Sequence, residues 1–465
     1  MKNIPLYWKI IIGIALGALW AVLSGYLGWQ QFTSNWIAPF GEIFINLLKL
    51  IAIPLILFSI ISGIVSLGNP KDLGKLGART LGLYLVTTII AVSLGLVLVN
   101  IFKPGKTFSE EVRIENRIAY ELWANQEGIP IKDGRHFSAQ AEYKSIVDAK
   151  TSQLELSSED ETVSKYKPKG KQGPLQALVD LVPQNIFNAL SGQGSMLQII
   201  FFAIFFGIAI LYVPIEKSRV IIQFVDGGSE IFIKMVDIIM KGAPFFVFAL
   251  MAGVVNDIAG DDPAKILEIF KGLGWYSLTV LAGLLAMAFG IYPGILKLLV
   301  PKRKFFEFLR GISPAQALAF STSSSAATLP VTFECVEENL GVDKKTAGFV
   351  LPIGATVNMD GTSLYQAVAV VFLAQMHMID LTLGQQITVV LTATLASIGS
   401  AAIPSAGIVM LMVVLQSVGL NPAWIAIILP VDRVLDMVRT TVNVTGDASV
   451  ACVIDSYVDT DDKQK

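Results

Sequence analysis

Residues 430–454, PVDRVLDMVRTTVNVTGDASVACVI, are long and apolar enough to cross a bilayer, yet they carry Asp432, Asp436, Arg439, Asn443 and Asp447. Hydrocarbon cannot solvate ionisable side chains, so inside a span they mark an ion path, a substrate site or a proton relay. At about 100° per residue, a helix places Asp432, Asn443, Asp436 and Asp447 at roughly 0°, 20°, 40° and 60°, with Arg439 near −20° and Thr440 near 80°. They share one stripe, about 22 Å long at about 1.5 Å per residue, which covers most of the hydrocarbon thickness.

A second polar motif, GATVNMDGTSLYQ at 354–366, puts Asn358, Asp360 and Thr362 inside another apolar segment. Gly361 weakens a helix there, and Asn and Asp compete for its backbone, so NMDGT should unwind locally and free carbonyl oxygens. Counting Asp360, the stripe holds four carboxylates against one guanidinium, an excess of roughly three negative charges that a low-dielectric interior cannot hold unpaired. Either the acids are protonated or cations bind. Carboxylate, carbonyl and hydroxyl oxygens suit small alkali cations, and no His or Cys stands nearby for a transition metal. Asp436 and Arg439, three apart on one face, read either as an internal salt bridge or as a pair that separates for a substrate. A guanidinium fork takes a carboxylate and a carboxylate takes an ammonium, which together describe an amino acid with an acidic side chain.

The positioning elements lie in the C-terminal half. FSTSSSAATLP (320–330) and ASIGSAAIPSAG (396–407) interrupt apolar regions with Ser, Ala, Gly and Pro. Broken backbone at membrane depth is tolerated only where protein covers it or it lines a wet cavity. Each apolar arm is too short to span, so the expected geometry is a pair of re-entrant helical hairpins, each followed by a longer helix, like an inverted repeat around a central site. The serine-rich tip would offer hydroxyls and amides to an α-carboxylate, as helix N-termini do for anions. The plainer reading of each motif alone is a small-residue face for close helix packing.

The rest of the chain fits a polytopic membrane protein: 465 residues, 53% hydrophobic, 15% charged, formal net charge −2,. Apolar spans are expected near 8–28, 36–67, 79–102, 175–213, 219–256 and 271–299, with a less regular half from about 304 to 453. Several exceed what a bilayer needs, which implies tilt or breaks. Basic residues at the N-terminus, Lys71, Lys75, Arg79, Lys217, Arg219, Lys302 and Arg303 predict cytoplasmic ends and loops. The Glu- and Lys-rich insert at 103–173 falls outside by span counting and reads as a mobile solvated loop or a partner-binding arm. Cys335 and Cys452 read as small buried hydrophobes, and His136 and His377 suggest neither a ligand cluster nor a catalytic pair. The basic, apolar N-terminus is too long for a signal peptide and reads as a retained first helix. Near-neutral charge implies no nucleic-acid partner.

TSSSAATLP, NMDGT and DRVLDMVRTTVNVTGD, in that order, resemble the dicarboxylate/amino acid:cation symporter family, which includes the excitatory amino acid transporters and archaeal sodium-aspartate symporters. The resemblance covers nearly the whole chain except the insert. It implies an all-α fold of eight transmembrane helices and two re-entrant hairpins, built as an elevator-type homotrimer embedded in the lipid of the cell membrane, with both termini cytoplasmic. Scaffold helices would occupy 1–78 and 174–256. The transport domain would comprise 79–102 and 257–453, with hairpin 1 at 304–335, a helix at 347–373, hairpin 2, the gate, at 384–416, and a last helix at 421–453 before a tail at 454–465. The implied cargo is an acidic amino acid, L-aspartate or L-glutamate, with co-transported sodium and no organic cofactor. Implied substrate contacts are Ser323, Ser325, Thr362, Ile403 and Gly407, with Asp436 for the amino group, Arg439 for the side-chain carboxylate, and Thr440 and Asn443 for the α-carboxylate and amino group. One implied sodium site uses Gly354, Asn358, Asn443 and Asp447; a second uses Thr356, Ser397, Ile398 and Ser400. A third uses Tyr84, Thr87, Thr88, Asn358 and Asp360.

Gln366 stands where animal glutamate transporters have a glutamate tied to proton and potassium coupling, which points to sodium-only coupling without potassium antiport. Ala326 replaces a common serine and Ser405 a common glycine. Arg439 and Asp436, absent respectively from neutral amino acid and C4-dicarboxylate carriers of the family, are both present. Competing readings are a proton-driven symporter of glutamate or dicarboxylates, an anion-conducting channel, and an intramembrane hydrolase; the last lacks a histidine or lysine base in a suitable span, so no enzyme activity is expected.

Overall fold

A computed structural model describes residues 6–66, 70–131, 133–157, 182–190, 196–259, 263–301, 303–398 and 406–462, and among these every regular element is helical. The first long helices are α1 (Leu6–Leu27), α2 (Ala38–Ser66) and α3 (Pro70–Phe102). Within the insert stand α4 (Glu110–Gln126) and α5 (Lys144–Ser157). Then come α6 (Met196–Tyr212), the long α7 (Ile215–Ala259) and α8 (Pro263–Ala286). A π-helical turn, Met287–Ile291, joins α8 to α9 (Tyr292–Leu299) just before Pro293, whose missing N–H cannot continue the regular ladder,. Among the described residues two stretches, Gly77–Thr107 and Glu268–Leu299, are long and apolar enough to cross a bilayer,.

The C-terminal half consists of α10 (Phe305–Thr322) and α11 (Ser325–Glu334), α12 (Lys344–Val357) and α13 (Asp360–Met376), α14 (Leu383–Ile398) and α15 (Ala406–Ser417), and α16 (Ile425–Asp462). Helices α10 and α11 pack as a hairpin, as do α14 and α15. The serine-rich break is confined to Ser323 and Ser324: Ser323 adopts a left-handed conformation (φ 52°) that ends α10, and the Ser324 hydroxyl accepts from the Ala327 N–H to start α11,. NMDGT unwinds as expected, with Asn358 extended between α12 and α13. The equivalent link of the second hairpin, with Ser400, Ile403 and Ser405, lies outside the described residues.

Two packing groups emerge. Helix α7 runs against α1 and α2, and α6 joins them on α2. Gly41 lets α2 approach α7 closely, since a Cβ there would sit 2.7 Å from the Leu250 Cα,. This group leaves large apolar side chains exposed, among them Leu16, Leu19, Phe224, Ile231 and Ile238, as lipid-facing helices do,. In the second group, α3 lies along α13, and α16 contacts α8, α10, α12 and α13. Helix α13 is buried over its whole length, which accounts for the all-round apolarity that hid its polar face from periodicity,.

Three expectations change. The span at 175–213 is not one helix among the described residues: a short helical stretch at Ile186–Asn188 precedes α6. The last helix runs on to Asp462, through the stretch read as a tail. The first part of the insert is folded onto the second group rather than forming a solvated loop, because α4 buries Val112, Tyr120 and Ala124 on one face against the core, with Ile118 buried on its other side,.

Candidate functional site

Because α16 is unbroken past Pro430, the stripe stays intact, and Asp432, Asp436, Arg439, Thr440, Asn443 and Asp447 are all buried. The Arg439 guanidinium lies 2.8 Å from an Asp436 oxygen and 3.0 Å from an Asp432 oxygen. Its Cζ stands 3.8 Å from the centre of the Tyr365 ring, so an aromatic face fixes the plane of the fork,. Arg439 Nε and Nη1 carry no hydrogen bond among the described residues. Buried donors of this kind are costly unless something accepts from them. Nη1 also lies close to Gly407 of α15, where a Cβ would stand 3.2 Å away and only 2.9 Å from the Thr362 methyl. Thr362, Gly407 and Arg439, predicted from three separate stretches, therefore meet at one point.

Sequence reasoning missed Arg433. It sits about 100° round the helix from Asp432, about 20° beyond the Thr440 edge of the stripe. Its long stem nevertheless carries the guanidinium back, buried, to 3.5 Å from the second oxygen of Asp436,. Two guanidiniums thus face Asp432 and Asp436, and the formal excess falls from three charges to two. The uncompensated acids are Asp360 and Asp447. The placement also gives Asp432, the acid without a role in the sequence, a place as the second partner of Arg439.

Around Asp447 the structure brings together the residues of the first predicted ion set. Asn358 Nδ2 donates to Asp447 Oδ1 at 2.8 Å and to the Asn443 carbonyl at 3.3 Å, and Gly354 lies against the same carboxylate. Asn358 Oδ1 is a buried acceptor with no donor among the described residues. Carboxylate, amide oxygen and main-chain carbonyls fit a hard monovalent cation. Four of the five residues of the third predicted set, Tyr84, Thr87, Thr88 and Asp360, also come together, while Asn358 bonds toward Asp447. Asp360 accepts from the Tyr292 hydroxyl at 2.9 Å, the Thr88 hydroxyl stands 2.7 Å from Asp360 and 2.8 Å from the Tyr84 carbonyl and donates its one proton to either, and Thr87 donates to the Tyr84 carbonyl. Tyr292 was unforeseen. It stands just after the π-helical turn, and a tyrosine in an apolar helix gives no sequence signal.

For the second ion site, the structure places Thr356 near the end of α12 and buried Ser397 near the end of α14, two helices in contact. The Ile398 backbone ends α14, while Ser400 is outside the described residues, as is Ile403 of the substrate set. Ser323 and Ser325 are buried in the first hairpin, which packs on α16, and the Ser323 hydroxyl has no partner among the described residues. The Asn443 Oδ1 accepts from the Gly361 N–H at 2.8 Å and its Nδ2 reaches the Met359 sulfur at 3.2 Å, so its side chain holds the unwound segment. The Thr440 hydroxyl donates to the Asp436 carbonyl at 2.9 Å. Gln366 donates from Nε2 to the Gly407 carbonyl at 3.2 Å, tying α13 to the start of α15.

The sodium:dicarboxylate symporter family profile matches residues 6–457. The chain belongs to this family. It is 36% identical to excitatory amino acid transporter 3 of Oryctolagus cuniculus over 459 residues, covering 96% of this chain and 84% of the relative. Against excitatory amino acid transporter 4 of Mus musculus, identity is 36% over 469 residues, covering 96% and 81%. An excitatory amino acid transporter of Caenorhabditis elegans is 34% identical over 467 residues, covering 98% and 88%. Membership makes this symporter-family chain a membrane protein and a transporter, in keeping with its apolar helices.

Proposed function

We propose that the chain is a sodium-coupled symporter that imports an acidic amino acid, L-aspartate or L-glutamate, without potassium antiport. The observation that carries this reading is the buried Arg439, stacked on Tyr365, paired with Asp436 and holding two unused N–H donors beside Gly407 and Thr362. An incoming side-chain carboxylate takes the fork from Asp432, and the α-ammonium is accepted by the Asp436 carboxylate. Ser323, which ends α10, and Ser325, which starts α11, receive the α-carboxylate, with the N–H groups at the start of α11 offered to the anion. Thr440, Asn443 and Ile403 would supply the remaining substrate contacts.

Charge balance supports cation coupling. Asp432 and Asp436 are matched by Arg433 and Arg439, whereas Asp360 and Asp447 face hydroxyls and amides only. Two monovalent cations neutralise those acids, and the net single negative charge of an acidic amino acid calls for a third. Gly354, Asn358, Asn443 and Asp447 would hold one sodium ion. Tyr84, Thr87, Thr88, Asn358 and Asp360 would hold another, and Thr356, Ser397, Ile398 and Ser400 the last. Gln366 supports the absence of proton coupling: an amide donates to the Gly407 carbonyl at any pH, whereas a carboxylic acid does so only when protonated,.

In this reading α1, α2, α6 and α7 form a scaffold, and α3 with α8–α16 forms a transport domain that rides across the membrane as a unit. The α14–α15 hairpin is the gate, the assembly is a homotrimer, and both termini are cytoplasmic. The separation of the helices into two packing groups favours such relative movement,. The test is a binding titration of both amino acids to purified protein at several sodium concentrations. Affinity should rise steeply with sodium; an unchanged Kd when choline replaces sodium would eliminate sodium coupling in favour of protons.

A further inference from the structure

The gate hairpin has two feet. The first, residues 377–382, connects α13 to α14, and the second, 418–424, connects α15 to α16. Both feet are gripped by the folded part of the insert. Ser109 caps α4 and also bonds Glu268 on α8 at 3.1 Å, while Phe108 packs against Gly272. Gly105 approaches α13 so closely that a Cβ would stand 2.5 Å from the Gln375 Cβ, and its N–H donates to Gln375 Oε1. Arg113 Nε donates to the Gln375 carbonyl at 3.2 Å.

Arg117 is the centre of the arrangement. It is fully buried, and its guanidinium makes five hydrogen bonds: to Glu121 at 2.7 Å, to both Asp133 oxygens at 2.7 and 2.8 Å, to the Arg135 carbonyl at 2.6 Å and to the Met378 carbonyl at 3.3 Å. Glu121, also buried, accepts in addition from the Phe137 and Ser138 N–H groups. A buried charge with every donor used is tolerated; one that loses its partner is not. Met378 has a left-handed φ of 52°, unfavourable for a side chain with a Cβ, and its neighbour Asp380 pairs with Arg135,. The second foot is held by Tyr120, whose ring stands 5.7 Å from that of Trp424 and whose hydroxyl donates to the Gly419 carbonyl at 3.5 Å. Ile129 also touches Gly419. The feet meet each other where His377 stacks on Trp424 with ring centres 3.4 Å apart.

We propose that residues 104–143 brace the gate: Arg117 and Tyr120 are positioning residues that hold the two feet of the α14–α15 hairpin in fixed relation, so that closure over the substrate moves the hairpin from a rigid base. The inference rests on the gate role given to that hairpin. A gate with loose feet closes at a larger entropic cost, and that cost falls on sodium and substrate binding together.

The experiment uses the full chain in detergent and compares the unaltered protein with Arg117→Met and Tyr120→Leu by hydrogen exchange and by aspartate binding at several sodium concentrations. In Arg117→Met, exchange should rise at both feet but not at 320–330, and aspartate should bind about tenfold more weakly at fixed sodium, within the range that coupling energies reach. Tyr120→Leu leaves the ion network intact and should loosen 418–424 alone, with a smaller loss; it decides the matter if Arg117→Met does not fold. Unchanged exchange at the feet, or loosened feet with unaltered aspartate affinity, overturns the brace. If aspartate and sodium fail to slow exchange in the hairpin of the unaltered protein, it is the gate role that fails.

Discussion

Replacing Arg439 with cysteine removes a guanidinium held 2.8 Å from Asp436, 3.0 Å from Asp432 and 3.8 Å from the Tyr365 ring centre. At such separations, an effective dielectric near 20 gives roughly 6 kcal/mol of gross attraction per pair. The net effect on the substrate is smaller, because the incoming carboxylate takes over a partner that Asp432 already had. Breaking a buried pair costs about 3–5 kcal/mol, which is roughly two to three and a half orders of magnitude in aspartate affinity. L-alanine, with no side-chain carboxylate, should keep its weak affinity or gain. Arg433 remains to face Asp436, but Asp432 is left buried without its guanidinium. Arg439→Cys/Asp432→Asn therefore separates folding from recognition: the second change should recover thermal stability without recovering aspartate binding. Calorimetric titration of aspartate and alanine at saturating sodium, alongside thermal unfolding of each variant, provides the readout. An aspartate Kd in the double variant within about threefold of the unaltered protein, less than 1 kcal/mol, would refute the role given to Arg439.

Asp447→Asn should weaken sodium affinity and, by linkage, aspartate affinity at fixed sodium, with recovery at saturating sodium; a loss that sodium cannot rescue would make Asp447 structural. Gln366→Glu should make aspartate binding fall as pH rises, because only the protonated acid can donate to the Gly407 carbonyl, with a loss of about 1–3 kcal/mol at high pH,; a flat pH profile in the variant would remove the argument against proton coupling. In the brace, burial alone would raise the Glu121 and Asp133 carboxyls, but the Arg117 guanidinium and backbone N–H groups outweigh it and hold both below the ordinary carboxylate range. Their folded values lie below the unfolded ones, so this stabilisation is full above about pH 4–5 and is lost as pH falls through the folded values. With Arg113, Arg135 and Asp380 also facing the cluster, thermal unfolding from pH 7 to 3 should show an acid-side decline that Arg117→Met blunts; equal declines in both proteins would contradict it.

Local sequence was enough wherever a residue's cost depends on its own segment. Charges in an apolar helix, Ser-rich and NMDGT breaks in helical runs, and a guanidinium three residues from a carboxylate each imply burial, unwinding or recognition without knowledge of the fold, and Asn358, Ser323 and the Asp436–Arg439 pair stand accordingly. Tertiary structure alone decided what lies across from what. Arg433 stands about 20° beyond the Thr440 edge of the stripe, and its burial in the packed structure sets its guanidinium against Asp436, which lowers the formal excess from three negative charges to two,. Tyr292 and Tyr365 reach Asp360 and Arg439 from other helices, and an aromatic residue in an apolar run looks the same whether it meets lipid or a charge. The insert differed most. Its mean polarity describes a solvated loop, but α4 is held by three core-facing apolar side chains, Val112, Tyr120 and Ala124, and by one buried, fully bonded arginine, and those contacts reach the feet of a hairpin more than two hundred residues away in the chain.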